Sequence, residues 1–208
     1  MNKIEKILED EKGFIKDIEI NLKKITLLDD RTKLFIGFYR VALTHYISII
    51  YLIEKKLYSS AFVLLRPLFE SIIRGEYTYH ILDDENIKRL YKTDNYDEIF
   101  KGRKLSKALD DKNKTNYFFK IYTSPAYKKM NDFIHTGAIQ IAKSFNEDNK
   151  TIEANFDDEL ILDTINSLHT LITISSITYF KEIGLKNGEI SNKDIENFIN
   201  TYPMKEIQ

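Results

Sequence analysis

The 208-residue chain has no cysteine, only seven glycines and three prolines, and a net charge of just −1 with histidine neutral. The missing thiols exclude disulfides, thiolate catalysis and the usual zinc ligand sets, and they suit a reducing, cytoplasmic setting. So few turn-forming residues cannot punctuate a sandwich or barrel of short strands, which needs a turn about every 8 to 12 residues. Nothing reads as an interdomain linker or an internal repeat. The four histidines are scattered without an HxxxH or ExxH pattern, so neither a metal nor another cofactor is expected. The opening run Met1-Asn2-Lys3-Ile4-Glu5 alternates charged and apolar residues, unlike the core of a secretion signal, and no export is expected. Leu34 to Ile53 has bilayer length, but Arg40 and His45 interrupt it. A central arginine costs roughly 2.5 to 3.5 kcal/mol on insertion scales, so a buried core helix is expected rather than a membrane span.

What is present is 43% hydrophobic and 30% charged residues, the balance of a folded globular chain, read here as one domain over residues 1–208. Apolar spacing predicts an all-α fold, a bundle of four or five long helices with short helices inserted. The first helix runs from about Asn2 to Lys24, and the second follows Asp29-Asp30 and continues past Leu52. A third, capped by Ser59-Ser60, runs from Ala61 to about Leu82 with Pro67 inside it, which predicts a kink beside Arg66. Short helices are expected over Asp84 to Lys92, Tyr96 to Leu109 and Lys114 to Tyr122. Ser124-Pro125 then opens a helix through Ile134 that bends near Gly137. Asn146 to Asn155 reads as a loop or short hairpin. A long helix from Asp157 to Ile183 follows, and Ser191 caps a final one that stops before Pro203.

Three constellations carry possible chemistry. Arg66, Glu70 and Arg74 recur every four residues and share one helix face. They form either a structural ion-pair ladder or a site in which the arginines grip phosphate or carboxylate while Glu70 orients a partner such as His135. Asn131 and His135 lie one turn apart, a proton-exchanging imidazole beside an amide able to hold substrate or water; the other reading is a buried, hydrogen-bonded histidine. Residues 88–129 hold 12 basic against five acidic residues, a balance of +7, which leaves 19 against 27, or −8, elsewhere. In that segment Tyr91, Tyr96, Phe100, Tyr117, Phe118, Phe119, Tyr122 and Tyr127 alternate with Lys101, Arg103, Lys104, Lys107, Lys114 and Lys120, and Lys128 and Lys129 close it. The mixture suits backbone phosphates and stacked bases, or else a solvated basic face over core aromatics.

The Ala61-x-x-Leu-x-Arg-x-x-x-Glu70 helix and the later Asn131-x-x-x-His135 helix resemble those of a loosely defined group of bacterial helical proteins of unknown function. The pairing also looks like the HEPN superfamily of helical bundles, many of them dimeric ribonucleases or toxin and phage-defence components with an Arg-x(4–6)-His motif. Here Lys128, Lys129 and Met130 occupy the positions seven, six and five before His135, so lysine supplies charge there without the bidentate fork of arginine. The resemblance implies a homodimer acting in a bacterial defence or toxin system through RNA or nucleotide recognition. In a metal-independent ribonuclease His135 would be the general acid or base, Asn131 would position substrate, Glu70 would orient a partner such as His135, and Arg66 with Arg74 would stabilise phosphate charge. The alternative is a non-catalytic protein-interaction or dimerisation module with a structural Arg-Glu-Arg ladder.

Overall fold

Asp29 fixes where the longest helix begins: its carboxylate accepts the Thr32 amide at 2.7 Å, satisfying a donor that has no partner within the helix. The computed structural model describes residues 2–22, 29–92, 98–135, 141–143 and 156–205, without the side chains of residues 126, 129, 131 and 132. In chain order it contains α1 (Lys3–Leu22), α2 (Asp30–Glu54), α3 (Tyr58–Val63), α4 (Leu65–His80), α5 (Asp84–Leu90), α6 (Gly102–Asn113), α7 (Tyr117–Thr123), α8 (Pro125–Ile134), α9 (Asp158–Thr178) and α10 (Asn192–Thr201). A π-helical turn, Tyr179–Gly184, extends α9. Among the described residues there is no strand, and the expected all-α bundle is what forms.

The core lies between α2, α4 and α9, with α1 closing one side. Each contributes an apolar stripe at helical spacing, such as Phe14 and Ile18 of α1, Ile49 and Ile53 of α2, Leu68 and Ile72 of α4, and Ile165 and Ile172 of α9. The opposite side of α4 is covered by α6 and α8, with α7 packed against both. Buried Leu105, Leu109 and Tyr127 make this second layer. Helix α4 is therefore sandwiched, and one of its faces meets the basic segment.

The expected single helix from Ala61 to Leu82 is instead two. The break falls at Leu64, so Pro67 sits in the first turn of α4, where its missing N–H removes no helical bond. Breaking one turn upstream replaces the expected kink. Ser59 and Ser60 lie in the first turn of α3 rather than capping it; the helix starts at Tyr58, after Lys56 has turned the chain at φ 59°.

Helix α6 starts at Gly102 rather than near Tyr96 and continues to Asn113, where Lys114 takes a left-handed conformation (φ 55°). Helix α7 starts late because its cap is non-local: the buried Asp110 carboxylate accepts the amides of Tyr117, Phe118 and Phe119 and the Thr115 hydroxyl. Ser124 caps α8 through the Tyr127 amide, and Ser191 with Asp194 forms a capping box on α10. The expected bend at Gly137 and the loop from Asn146 to Asn155 lie outside the described residues.

Candidate anion-binding site

Helix α4 places Arg66, Glu70 and Arg74 on one face, and the face is half-open: their side chains are 33, 26 and 28% exposed. Arg66 Nε donates to Glu70 Oε1 at 2.7 Å, and Arg74 Nη2 lies 3.5 Å from Oε2. The carboxylate thus sits between two guanidiniums and leaves the trio one net positive charge. Its hydrogen bond to Glu70 raises Arg66 above the ordinary arginine pKa.

Helix α8 brings Tyr127 over this ladder, and its hydroxyl donates to Glu70 Oε1 at 3.1 Å. Burial first, and the neighbouring carboxylate second, push the Tyr127 hydroxyl upward, so it stays a proton donor at neutral pH. Each arginine also faces a ring: Arg66 lies 5.5 Å from the Tyr127 centroid and Arg74 5.7 Å from that of Phe100. Tyr122, at the end of α7, stands 4.9 Å from Tyr127, and Phe69 backs Tyr127 at 5.4 Å.

Together these side chains line an open pocket of about 320 Å3, walled by Arg66, Glu70 and Arg74 on one side and by Phe100, Gly102, Tyr122 and Tyr127 on the other. The volume lies at the lower end of small-molecule sites, roughly 300 to 1,000 Å3. Gly102 is part of the construction, because a Cβ at this position would come within 2.7 Å of the Tyr122 ring. Lys101, Arg103 and Lys104 flank it in sequence and are exposed, with Arg103 6.0 Å from the Phe119 ring centre. The pocket can take an anionic group on the guanidiniums and a flat ring against the tyrosines.

The structure thus joins the Arg66 trio to the basic, aromatic segment. Lys128 is exposed on α8, while the side chains of Lys129 and Asn131 lie outside the described residues. His135 is exposed, just past the end of α8 and two turns beyond Tyr127, and is not among the described residues lining the pocket. Glu70 takes Tyr127 where sequence reasoning paired it with His135. Tyr127, Tyr122, Phe100 and Gly102 were not singled out beforehand as site residues; the signal available was the alternation of aromatics with basic residues. Among the described residues no group of three or more histidines or acids could hold a metal ion.

A second carboxylate, which sequence reasoning missed, is sealed in the core. Glu11 of α1 is 1% exposed and accepts the Tyr46 hydroxyl, with His169 Nδ1 and Lys205 Nζ each 2.8 Å from its oxygens. Burial pushes Glu11 upward, but the His169, Lys205 and Tyr46 contacts outweigh it and hold the carboxyl below its ordinary value. His169 lies in the core at 3% exposure; His45 is half-buried, and desolvation lowers its pKa.

The fold and pocket define an all-helical protein with a cationic, aromatic-walled cavity on its central helix. By sequence the chain belongs to a family of unknown function, DUF6988, which it matches over residues 39–202, a span containing every residue of the pocket. Among curated proteins and solved structures, none matches it.

Proposed function

We propose that the protein recognises RNA or a nucleotide through the Arg66–Glu70–Arg74 pocket, as a HEPN-like component of a bacterial defence or toxin system. The observation that carries the recognition is the pairing of two guanidiniums with a tyrosine wall in one open cavity, with the exposed Lys101, Arg103 and Lys104 next to its Gly102 in sequence. Arginine forks match phosphate oxygens bidentately, and bases stack on aromatic rings for about 1 to 3 kcal/mol each. Glu70 keeps the fork of Arg66 aimed before ligand arrives, reducing the ordering cost of binding. The defence setting rests on the likeness of the Ala61 to Glu70 and Asn131 to His135 motifs to HEPN proteins.

Recognition needs no contribution from His135, whereas a ribonuclease would need it beside the scissile phosphate. Titration of the full chain with a short single-stranded RNA and with nucleoside monophosphates tests the proposal. Binding is expected to weaken by at least about tenfold in Arg66→Ala and to be unchanged in His135→Ala. Equal affinity of wild type and Arg66→Ala for every such ligand would overturn it. Loss of RNA cleavage in His135→Ala would instead add catalysis to recognition.

A further inference from the structure

Helix α2 and the α9 segment, Asp158–Gly184, are both long and apolar enough to span a bilayer, as core helices also are. They differ in cover: 61% of the apolar window of the α9 segment is buried inside the protein, but only 44% of that of α2. The uncovered part of α2 is ordered. Gly37, Val41, Thr44, Ser48, Tyr51 and Lys55 recur at alternating spacings of four and three, which places them on one stripe. Val41 is 47% and Tyr51 58% exposed. Thr44 and Ser48 return their hydroxyls to the helix's own carbonyls at 2.8 Å, so between Gly37 and Tyr51 the stripe presents carbon, and only Lys55 at its end carries charge.

We propose that this stripe docks against the same stripe of a second copy, with the two α2 helices antiparallel about a two-fold axis level with Tyr46. The sequence is complementary to itself in that register. Thr44 meets Ser48 of the other copy, small against small, and lets the backbones approach. Val41 meets Tyr51, and Gly37 meets the aliphatic stem of Lys55. Along one flank the same register sets Arg40 beside Glu54 of the other copy, a carboxylate that Lys12 of its own α1 also holds at 2.8 Å, twice by symmetry, and Ile47 beside itself. A shallow pocket of about 200 Å3 lined by Arg40, Leu43, Thr44, Ile47, Glu19 and Leu22 runs along this flank and receives the facing side chains. A bilayer or an unrelated partner would not require the pattern to pair with itself end for end.

Sedimentation velocity of the full chain across a concentration series is expected to show a reversible monomer–dimer equilibrium. Val41→Glu with Tyr51→Glu, both at exposed positions, is expected to weaken dimerisation by at least about tenfold with circular dichroism unchanged. Arg40→Glu alone and Glu54→Arg alone each set like charges together and weaken the dimer. An equimolar mixture of those two variants restores it, because both cross-pairs are then opposite in sign.

The absence of native cysteine gives a test of register. A Cβ at Gly37 meets nothing within 4 Å, so Gly37→Cys is tolerated. Positions 37 and 55 lie about 27 Å apart along one helix. Gly37→Cys/Lys55→Cys is therefore expected to cross-link between copies on oxidation, and Gly37→Cys alone is not. A monomer at every concentration, a dimer indifferent to Val41→Glu/Tyr51→Glu, or efficient cross-linking of Gly37→Cys alone would each overturn the proposal. So would a monomer that instead co-sediments with anionic vesicles through this face.

Discussion

Glu11 and Glu70 are the same chemical arrangement in two settings. Each carboxylate accepts a tyrosine hydroxyl and lies between two nitrogen-bearing side chains: Tyr46, His169 and Lys205 for Glu11, and Tyr127, Arg66 and Arg74 for Glu70. Glu11 is closed off at 1% exposure, whereas the Glu70 side chain keeps 26% and opens onto a pocket. Partners tell little about role, because both carboxylates are well satisfied. Access does, since a sealed group can only hold the fold together while an open one can also exchange its partners for a ligand.

The largest expected difference is in stability. Removing Glu11 leaves the buried Tyr46 hydroxyl and His169 ring without their acceptor in low dielectric, while the 30%-exposed Lys205 side chain loses its partner but keeps water, so Glu11→Ala is expected to cost about 3 kcal/mol. Glu70→Ala acts on a half-exposed ladder screened by water and is expected to cost no more than about 1 kcal/mol. Urea unfolding of the two variants measures this directly, and equal losses would abolish the distinction. The pH dependence sharpens it. Because the folded pKa of Glu11 is depressed, its contribution is fully present above the ordinary value of 4.5 and disappears as pH falls through the lower folded value. Glu11→Gln should flatten that acid limb of the stability curve, and an unchanged limb would assign acid sensitivity to other carboxylates.

Next in size is the effect on ligand. Arg66→Lys keeps the charge but replaces a fork that is already aimed by the Glu70 hydrogen bond with a flexible point charge. A loss of about tenfold in RNA or nucleotide affinity is expected, with thermal stability nearly unchanged. Wild-type affinity in Arg66→Lys would mean that the pocket attracts by charge alone.

These two sites were unequally legible in the sequence. The helices were, because apolar residues recur at helical spacing over long runs, as do Leu8, Ile15 and Ile18 in α1. Boundaries governed by distant groups were not: the start of α7 is set by Asp110, seven to nine residues before the amides it caps. The Arg66–Glu70–Arg74 trio was visible because its partners lie four residues apart. Its aromatic wall was not, since Tyr127 reaches Glu70 across 57 residues. Glu11 was invisible altogether, with partners 35, 158 and 194 residues away, and in α1 it reads as one more charge in a polar helix.

A smaller effect is expected at the exposed basic run beside Gly102. Reversing Lys101, Arg103 and Lys104 to glutamate changes residues that are exposed and make no core contact of the kind Leu105 makes, so folding should be unaffected. Each lost phosphate contact removes about 0.7 from the slope of log affinity against log salt for a single strand. RNA binding measured across a salt series should therefore become shallower in the triple variant, while a mononucleotide confined to the pocket should lose far less. Equal losses for the two ligands would place the mononucleotide on these three residues as well.

The finest test separates the pocket's shape from its charge. Gly102 opens α6, where alanine would ordinarily gain about 0.4 to 1 kcal/mol by restricting the unfolded chain. Here the added methyl would meet Tyr122 at 2.7 Å, so the ring must turn away from α6. These two effects oppose each other, and the net change in stability of Gly102→Ala is expected to stay within about 1 kcal/mol. Because Tyr122 also packs on Tyr127 at 4.9 Å, its displacement disturbs the aromatic wall without altering any charge. Affinity for a nucleotide should fall several-fold while affinity for inorganic phosphate, which needs only the guanidiniums, holds. Parallel loss of both would show that Tyr122 acts by keeping Tyr127 and Arg66 in place rather than by stacking on a base.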